Sequence, residues 1–170
     1  MQETPQQYTQ RILGYLEGRE PLEILTSVPR QISKLVKGVS KKKLAKRSEP
    51  GKWSVTEILA HLADCELVQG FRLRLILGAS GTPIQGFDQD AWAVVFDYAK
   101  HDPALSLEAY RVTRERNMRL LKGLPRDAWD RYGMHSERGK ETVTRVTEMM
   151  AGHDLNHLKA IRGILKVGSK

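Results

Sequence analysis

Apolar residues recur every three or four positions along most of the chain, which is the spacing of one face of an α-helix. Between Pro5 and Val39 this spacing is interrupted near Gly18, Pro21 and Pro29, so the segment predicts either one broken helix or two. The next stretch, Ser40 to Gly51, is basic, lacks an apolar stripe and ends in a Pro-Gly pair. It therefore predicts a connection between helices.

The rest of the chain contains three strong helical patterns and one weak one. Ser54 to Glu57 has the form of a capping box, in which two side chains satisfy free backbone N–H groups, and predicts a helix that continues to about Gly78. A second helix is predicted from Ser106 to Gly123, and a third from about Thr142 to Lys166. Asp88 to Tyr98 favours only a short helix.

No strand-like alternation of useful length is evident. Four main helices joined by short loops therefore predict an all-α fold, an antiparallel helical bundle. A chain of 170 residues fits one domain of ordinary size, and we assign residues 1–170 to a single bundle domain.

The chain is basic, with 28 Lys and Arg against 20 Asp and Glu and a net charge of +8. Much of the excess lies between Lys41 and Lys52, in the predicted connection. Such a cluster attracts anions, but no nucleic-acid-binding motif accompanies it, so we interpret it as a solvated loop and expect no nucleic acid partner.

Neither a signal segment nor an apolar run of membrane-spanning length is evident, so we predict a cytoplasmic protein with no membrane partner. The single cysteine, Cys65, excludes an internal disulfide.

Two histidines lie on the apolar face of the last predicted helix. His153 and His157 are four residues apart, so both imidazoles can reach one ion, although the pair alone leaves open the alternative of two core histidines. His61, on an apolar face of another helix, is the third candidate ligand, because bundles build metal sites from facing helices. Three imidazoles favour Zn or Ni, with Fe, Cu or Mn as alternatives, over Ca or Mg.

Three protein ligands leave a fourth coordination position for water or a thiol, as in catalytic sites. Cys65, one turn beyond His61, is interpreted as a small core residue rather than a further ligand. Glu57 and Asp154 are candidates to hydrogen-bond a ligand's other ring nitrogen, with a helix cap and a solvated carboxylate as the alternatives. Asp154 is also a candidate catalytic residue.

His135 is the second catalytic candidate. It lies in the Gly133 to Gly139 segment, which we predict to be a loop that can reach the open end of the bundle. His101 is expected to be exposed. No residue indicates a binding site for an organic cofactor.

Two segments together resemble the signatures of the DinB-like superfamily. They are Lys52 to Asp64, with the sequence KWSVTEILAHLAD, and Gly152 to Leu158, with the sequence GHDLNHL. The resemblance covers roughly Leu22 to Lys166, and His61, His153 and His157 match the family's metal ligands. One departure is Lys159, where glutamine is common, and we expect it to affect a surface or dimer contact more than the metal.

This resemblance implies an up-down-down-up four-helix bundle with one divalent metal on the three histidines, and frequent homodimers. Characterised relatives include S-transferases that use low-molecular-weight thiols such as bacillithiol or mycothiol, and a maleylpyruvate isomerase. We therefore expect a metal-dependent transferase that uses a small thiol as co-substrate and acts on a small molecule. A metal-dependent hydrolase and a non-catalytic metal-containing bundle are the alternatives.

Overall fold

Seven α-helices and one three-stranded sheet make up residues 3–166, the part of the chain that the computed structural model describes. The helices are α1 (Pro5–Gly14), α2 (Pro21–Val36), α3 (Lys41–Leu44), α4 (Val55–Gly78), α5 (Gln89–Val95), α6 (Pro103–Lys122) and α7 (Val143–Leu165). The strands are β1 (Thr82–Ile84), β2 (Tyr132–His135) and β3 (Gly139–Thr142). Short 3-10 helices span Tyr98–Lys100 and Arg126–Asp130.

Side-chain caps mark where α4, α6 and α7 begin. The predicted capping box is present: Ser54 Oγ accepts from the Glu57 N–H at 3.3 Å, and Glu57 Oε2 accepts from the Ser54 N–H at 2.8 Å. The predicted start of α6 at Ser106 is wrong by one turn, because the Asp102 carboxylate caps the helix and Pro103 fits its first position. Thr142 caps α7 at the predicted place.

Helices α2, α4, α6 and α7 form the bundle, with α4 packed on α6 and α7, and α2 packed on α7 and α6. Strand β1 follows α4 and strand β2 follows α6, and the two strands pair in parallel. Helices α4 and α6 therefore end at the same end of the bundle and run in the same direction. The antiparallel arrangement expected from the short loops is wrong for this pair of helices. The antiparallel β2–β3 hairpin then turns the chain back into α7, which confirms the up-down-down-up topology.

The small sheet was not predicted. Its strands are only three or four residues long, too short for a period-2 pattern to stand out, and their pairing joins segments about fifty residues apart. The prediction that Gly133 to Gly139 is a loop is therefore wrong, because its first half is strand β2. Gly133 is required where the strands meet, since a Cβ there would lie 2.5 Å from the Ile84 side chain.

Helix α1 lies against α7, outside the four-helix core. The contact is close at Gly152, where an added Cβ would lie 2.2 Å from the carbonyl oxygen of Ile12. Lys159, the departure from the family pattern, lies with its Nζ 5.6 Å from the centre of the Tyr15 ring. None of the described helices is long and apolar enough to cross a membrane.

Candidate metal centre

The structure brings the three predicted histidine ligands together where α4 faces α7. His153 Nε2 lies 3.0 Å from His61 Nε2 and 3.1 Å from His157 Nε2. The helical spacing explains this, because His153 and His157 are one turn apart and His61 lies on the inward face of α4. His61 and His157 are buried, and His153 is half-buried.

The arrangement fits a divalent transition metal. Two nitrogens bound to one tetrahedral ion at about 2.0–2.1 Å are about 3.3 Å apart, within a few tenths of an ångström of the spacings found here. Hydrogen bonds between the rings cannot satisfy all three nitrogens. His153 Nε2 faces two other ring nitrogens, yet a neutral imidazole nitrogen is either a donor or an acceptor. One ion would take a lone pair from each ring.

Burial also sets the charge of these rings. It lowers the pKa of His61 and His157 well below the ordinary histidine value, and the neighbouring histidines lower both further. Burial lowers the pKa of His153 to about 4. All three imidazoles are therefore neutral near pH 7, which is the form that binds a metal ion.

Trp53 forms an aromatic wall beside the cluster. Its ring centre lies 4.7 Å from that of His61, and it is stacked nearly parallel to His157 with the ring centres 6.4 Å apart. Trp53 directly precedes the cap of α4, so the capping box fixes its position relative to His61. Sequence reasoning included Trp53 only as part of the family signature.

Cys65 lies closer to the histidines than predicted for a core residue. Its Sγ is 3.4 Å from His61 Nε2. Three possible ligand atoms, one each from His61, Cys65 and His153, all lie within 4.8 Å of one another. Burial raises the pKa of the Cys65 thiol, so without a metal it stays protonated. The structure therefore offers one sulfur beside the nitrogens of His61 and His153.

Asp154 neither hydrogen-bonds a histidine ring nor is a solvated carboxylate, the two alternatives that the sequence left open. Its carboxylate is buried and accepts from Arg114 Nη1 at 2.6 Å, from Arg114 Nη2 at 3.2 Å and from Tyr110 Oη at 2.7 Å. Arg114 Nη2 also donates to Glu66 Oε2 at 2.6 Å, and Asn117 Nδ2 donates to Glu66 Oε1 at 2.7 Å. This buried network ties α4, α6 and α7 together next to the histidines.

Glu57 does not hold a histidine ring either. Its carboxylate accepts from the Ser54 N–H and from the Arg47 guanidinium, and these contacts keep its pKa below the usual range despite the opposing effect of burial. Within the basic segment, Lys41 pairs with Asp102, the cap of α6, at 2.5 Å. His101 is exposed, as expected.

His135, predicted to reach the open end of the bundle, lies at the end of β2 and is buried. Its Nδ1 accepts the backbone N–H of Glu137 at 3.2 Å, and its Nε2 has no partner among the described residues. Burial lowers the pKa of His135 to about 4.

A cavity of about 260 Å³ lies beside the histidine cluster and opens to solvent. Its wall includes His153, Cys65 and Asp154, together with His135 from the hairpin. Three arginines that also line the cavity were not found from the sequence: Arg72 of α4, Arg114 of α6 and Arg138 of the hairpin. The guanidinium of Arg114 is hydrogen-bonded within the buried network. The available signal was the spacing of Arg72 from His61 on α4, three helical turns.

Comparison with known proteins gives relatives whose sequences are similar to this one over most of its length. A "Putative metal-dependent hydrolase" of Oceanobacillus iheyensis is 25% identical over 142 residues, 84% of this chain and 82% of the relative. The "Putative metal-dependent hydrolase YfiT" of Bacillus subtilis is 27% identical over 123 residues, 72% of this chain and 68% of the relative.

Two solved structures share the fold. YfiT from Bacillus subtilis, described as a probable metal-dependent hydrolase with an unusual four-helix bundle topology, superposes with a TM-score of 0.80 at 23% identity, covering 86% of this chain and 85% of that one. A mycothiol-dependent maleylpyruvate isomerase superposes with a TM-score of 0.67 at 12% identity, covering 82% of this chain and 58% of that one. The sequence model of the DinB superfamily matches residues 24–161, most of the chain, and the protein therefore belongs to the DinB superfamily.

Proposed function

We propose that this protein is a metal-dependent enzyme in which His61, His153 and His157 hold one divalent ion, and that it transfers a small thiol to an electrophilic small molecule. The observation that carries the proposal is the convergence of three neutral imidazole nitrogens, one of them on His153, which lines an open cavity. The relatives named as metal-dependent hydrolases support the use of a metal.

The protein's own residues would prepare this site for an ion. Burial keeps the three rings neutral, and Trp53 covers His61 and His157 on one side. The Arg114 network holds Asp154, the neighbour of His153, so α7 is fixed beside α4. A divalent ion bound here would favour the deprotonated form of a thiol or water beside it.

The engagement of most of the cavity's carboxylates by arginines supports thiol transfer over hydrolysis. Three of the four carboxylates that line the cavity are engaged by arginines, and the fourth is Glu137 on the hairpin. Glu57, at the start of α4, is engaged by Arg47. A thiol has a pKa near 8.5 and needs less help to lose its proton than water does. The mycothiol-dependent isomerase with the same bundle fold supports the same choice.

Metal-dependent hydrolysis is the second candidate, and the names of the curated relatives favour it. It would use the same histidines but act on water, so turnover would not require an added thiol.

The first test is metal content by elemental mass spectrometry on protein purified without an affinity tag. We expect a single divalent ion per chain in the wild type and its loss in His157→Ala. His101→Ala is the matched control, because it removes an exposed histidine outside the cluster. If the wild type is metal-free and takes up neither Zn nor Ni when offered, the proposal is wrong.

The second test separates the two reactions. Metal-loaded protein is incubated with a panel of electrophiles, esters and amides, with and without a small thiol. Thiol-dependent loss of the electrophile supports transfer, whereas turnover of an ester or amide without thiol supports hydrolysis and overturns the transfer assignment.

A further inference from the structure

Arg72 is a buried charge without a counter-ion. It lies on α4 eleven residues after His61, and its side chain lines the same cavity as His153 and Cys65. The residue is only 5% exposed. Its Nη2 donates to the carbonyl oxygen of Gln85, and its Cζ lies 5.6 Å from the centre of the Phe87 ring. Within residues 3–166 no carboxylate lies at ion-pairing distance from it.

The other two arginines of the cavity wall differ in this respect. Arg114 forms ion pairs with Glu66 and Asp154, each at 2.6 Å. Arg138 forms a two-pronged pair with Glu141, at 2.7 and 3.0 Å. Burying an unpaired guanidinium is costly, and the pKa of Arg72 is accordingly lowered by its removal from water. The protein therefore keeps an unmatched positive charge at this wall.

A second unmatched donor lines the same cavity. The Nδ1 of His135 accepts a backbone N–H, so the proton of the neutral ring is on Nε2. That Nε2–H is buried and lacks an acceptor among the described residues. Buried polar groups without partners are rare in folded proteins and call for an explanation such as a missing ligand.

The acidic groups that face the cavity do not pair with Arg72 or with the Nε2–H of His135. Glu3 is paired with Arg11, and Glu66 and Asp154 are both held by Arg114. Glu137 is the remaining carboxylate of the wall, but it is exposed to solvent and lies beyond ion-pairing distance of Arg72. An anion that enters the cavity would therefore meet Arg72 as its strongest uncompensated partner.

We propose that Arg72, assisted by the Nε2–H of His135, is an anion subsite that holds a carboxylate of the ligand whose reacting end lies at the histidine cluster. The Cα atoms of His61 and Arg72 are about 16 Å apart along the helix. A helical side chain points back toward the N-terminus of its helix, so the guanidinium reaches toward His61. A small acyclic molecule can span the remaining distance.

The inference rests on the proposed function for the reacting end but not for the anion, because Arg72 would bind a carboxylate without a metal. The probes are two matched pairs, each an acid and its uncharged alcohol: 6-mercaptohexanoate with 6-mercaptohexanol, and hexanoate with 1-hexanol. Binding is followed by calorimetry and by the NMR signal of the Arg72 Nε–H.

We expect metal-loaded wild type to bind 6-mercaptohexanoate about tenfold more tightly than 6-mercaptohexanol. Arg72→Gln should lose this preference while it keeps its metal content and its affinity for the alcohol. Arg72→Lys should recover part of it, and Glu137→Gln, the control for removal of a wall charge, should keep or increase it. Equal binding of acid and alcohol by the wild type, or an unchanged preference in Arg72→Gln, would overturn the subsite.

The hexanoate pair separates this inference from the proposed function. If His157→Ala and the wild type both prefer hexanoate over hexanol but neither binds thiols, the subsite is supported and the metal proposal fails. If thiols bind without a preference for the acid, the subsite alone fails. Competition between hexanoate and 6-mercaptohexanol indicates one ligand that carries both groups, whereas simultaneous binding assigns the carboxylate to a second substrate, and both results support the subsite.

Discussion

Replacement of Arg114 by methionine tests the buried network beside the histidines. Arg114 is 4% exposed, and its guanidinium donates three hydrogen bonds to Asp154 and Glu66 between 2.6 and 3.2 Å. Methionine keeps most of the side-chain volume, so the main loss is the charge. Asp154 would keep only the Tyr110 hydroxyl as a side-chain donor, and Glu66 only the Asn117 amide.

Removing one partner of a buried ion pair typically costs about 3–5 kcal/mol, because the other charge stays buried and unpaired. In a chain of this size each kcal/mol lowers Tm by about 2–4 °C, so we expect Arg114→Met to lower Tm by about 6–20 °C. The triple variant Arg114→Met, Asp154→Asn, Glu66→Gln should recover most of the loss, because it contains no unpaired charge at this place.

The assay is urea unfolding followed by circular dichroism, in a chelator so that metal binding does not contribute to the free energy of unfolding. Thermal melts of the same samples give Tm. A loss below about 1 kcal/mol in Arg114→Met would show that the network does not stabilise the fold as reasoned. A triple variant no more stable than the single one would assign the loss to packing instead of charge.

Three further predictions concern the surroundings of the histidines. Cys65→Ala should keep its metal if the three histidines suffice, so loss of metal by elemental analysis would make Cys65 a ligand. Gly152→Ala should destabilise the fold by about 1–3 kcal/mol in urea unfolding, because its Cβ would overlap the Ile12 carbonyl; an unchanged midpoint would contradict the close α1–α7 contact. The pKa of His135 is lowered to about 4, so below pH 6.5 the unfolded chain takes up a proton that the folded protein rejects, and stability should fall between pH 6.5 and 4. This fall should be smaller in His135→Gln than in the wild type, and equal slopes would refute the assignment.

Local signals in the sequence were reliable where neighbours along one helix provide the interaction. The capping box from Ser54 to Glu57 needs only groups three residues apart, so its pattern predicts its geometry. The same holds for His153 and His157, whose spacing places them one turn apart. Adding His61 required the assumption that α4 faces α7, and the structure supplies that contact.

The pairings between distant segments were not predictable in this way. Asp154 could not be known to meet Arg114, forty residues earlier, and Glu66 could not be known to share that guanidinium. Strands β1 and β2 are likewise formed by segments that read as loops. The predicted homodimer and cytoplasmic location stay predictions.

The sequence by itself determined the main helices, the family and the three histidines, because helical periodicity and capping depend on residues close together in the chain. Only the tertiary structure decided what surrounds those histidines. These surroundings are the sulfur of Cys65, the Asp154 carboxylate paired with Arg114, and the guanidinium of Arg72, which has no carboxylate partner. The physical reason is that the charge and hydrogen-bonding state of a buried group depend on which distant segment packs against it. That choice is made by the whole core and not by any local pattern.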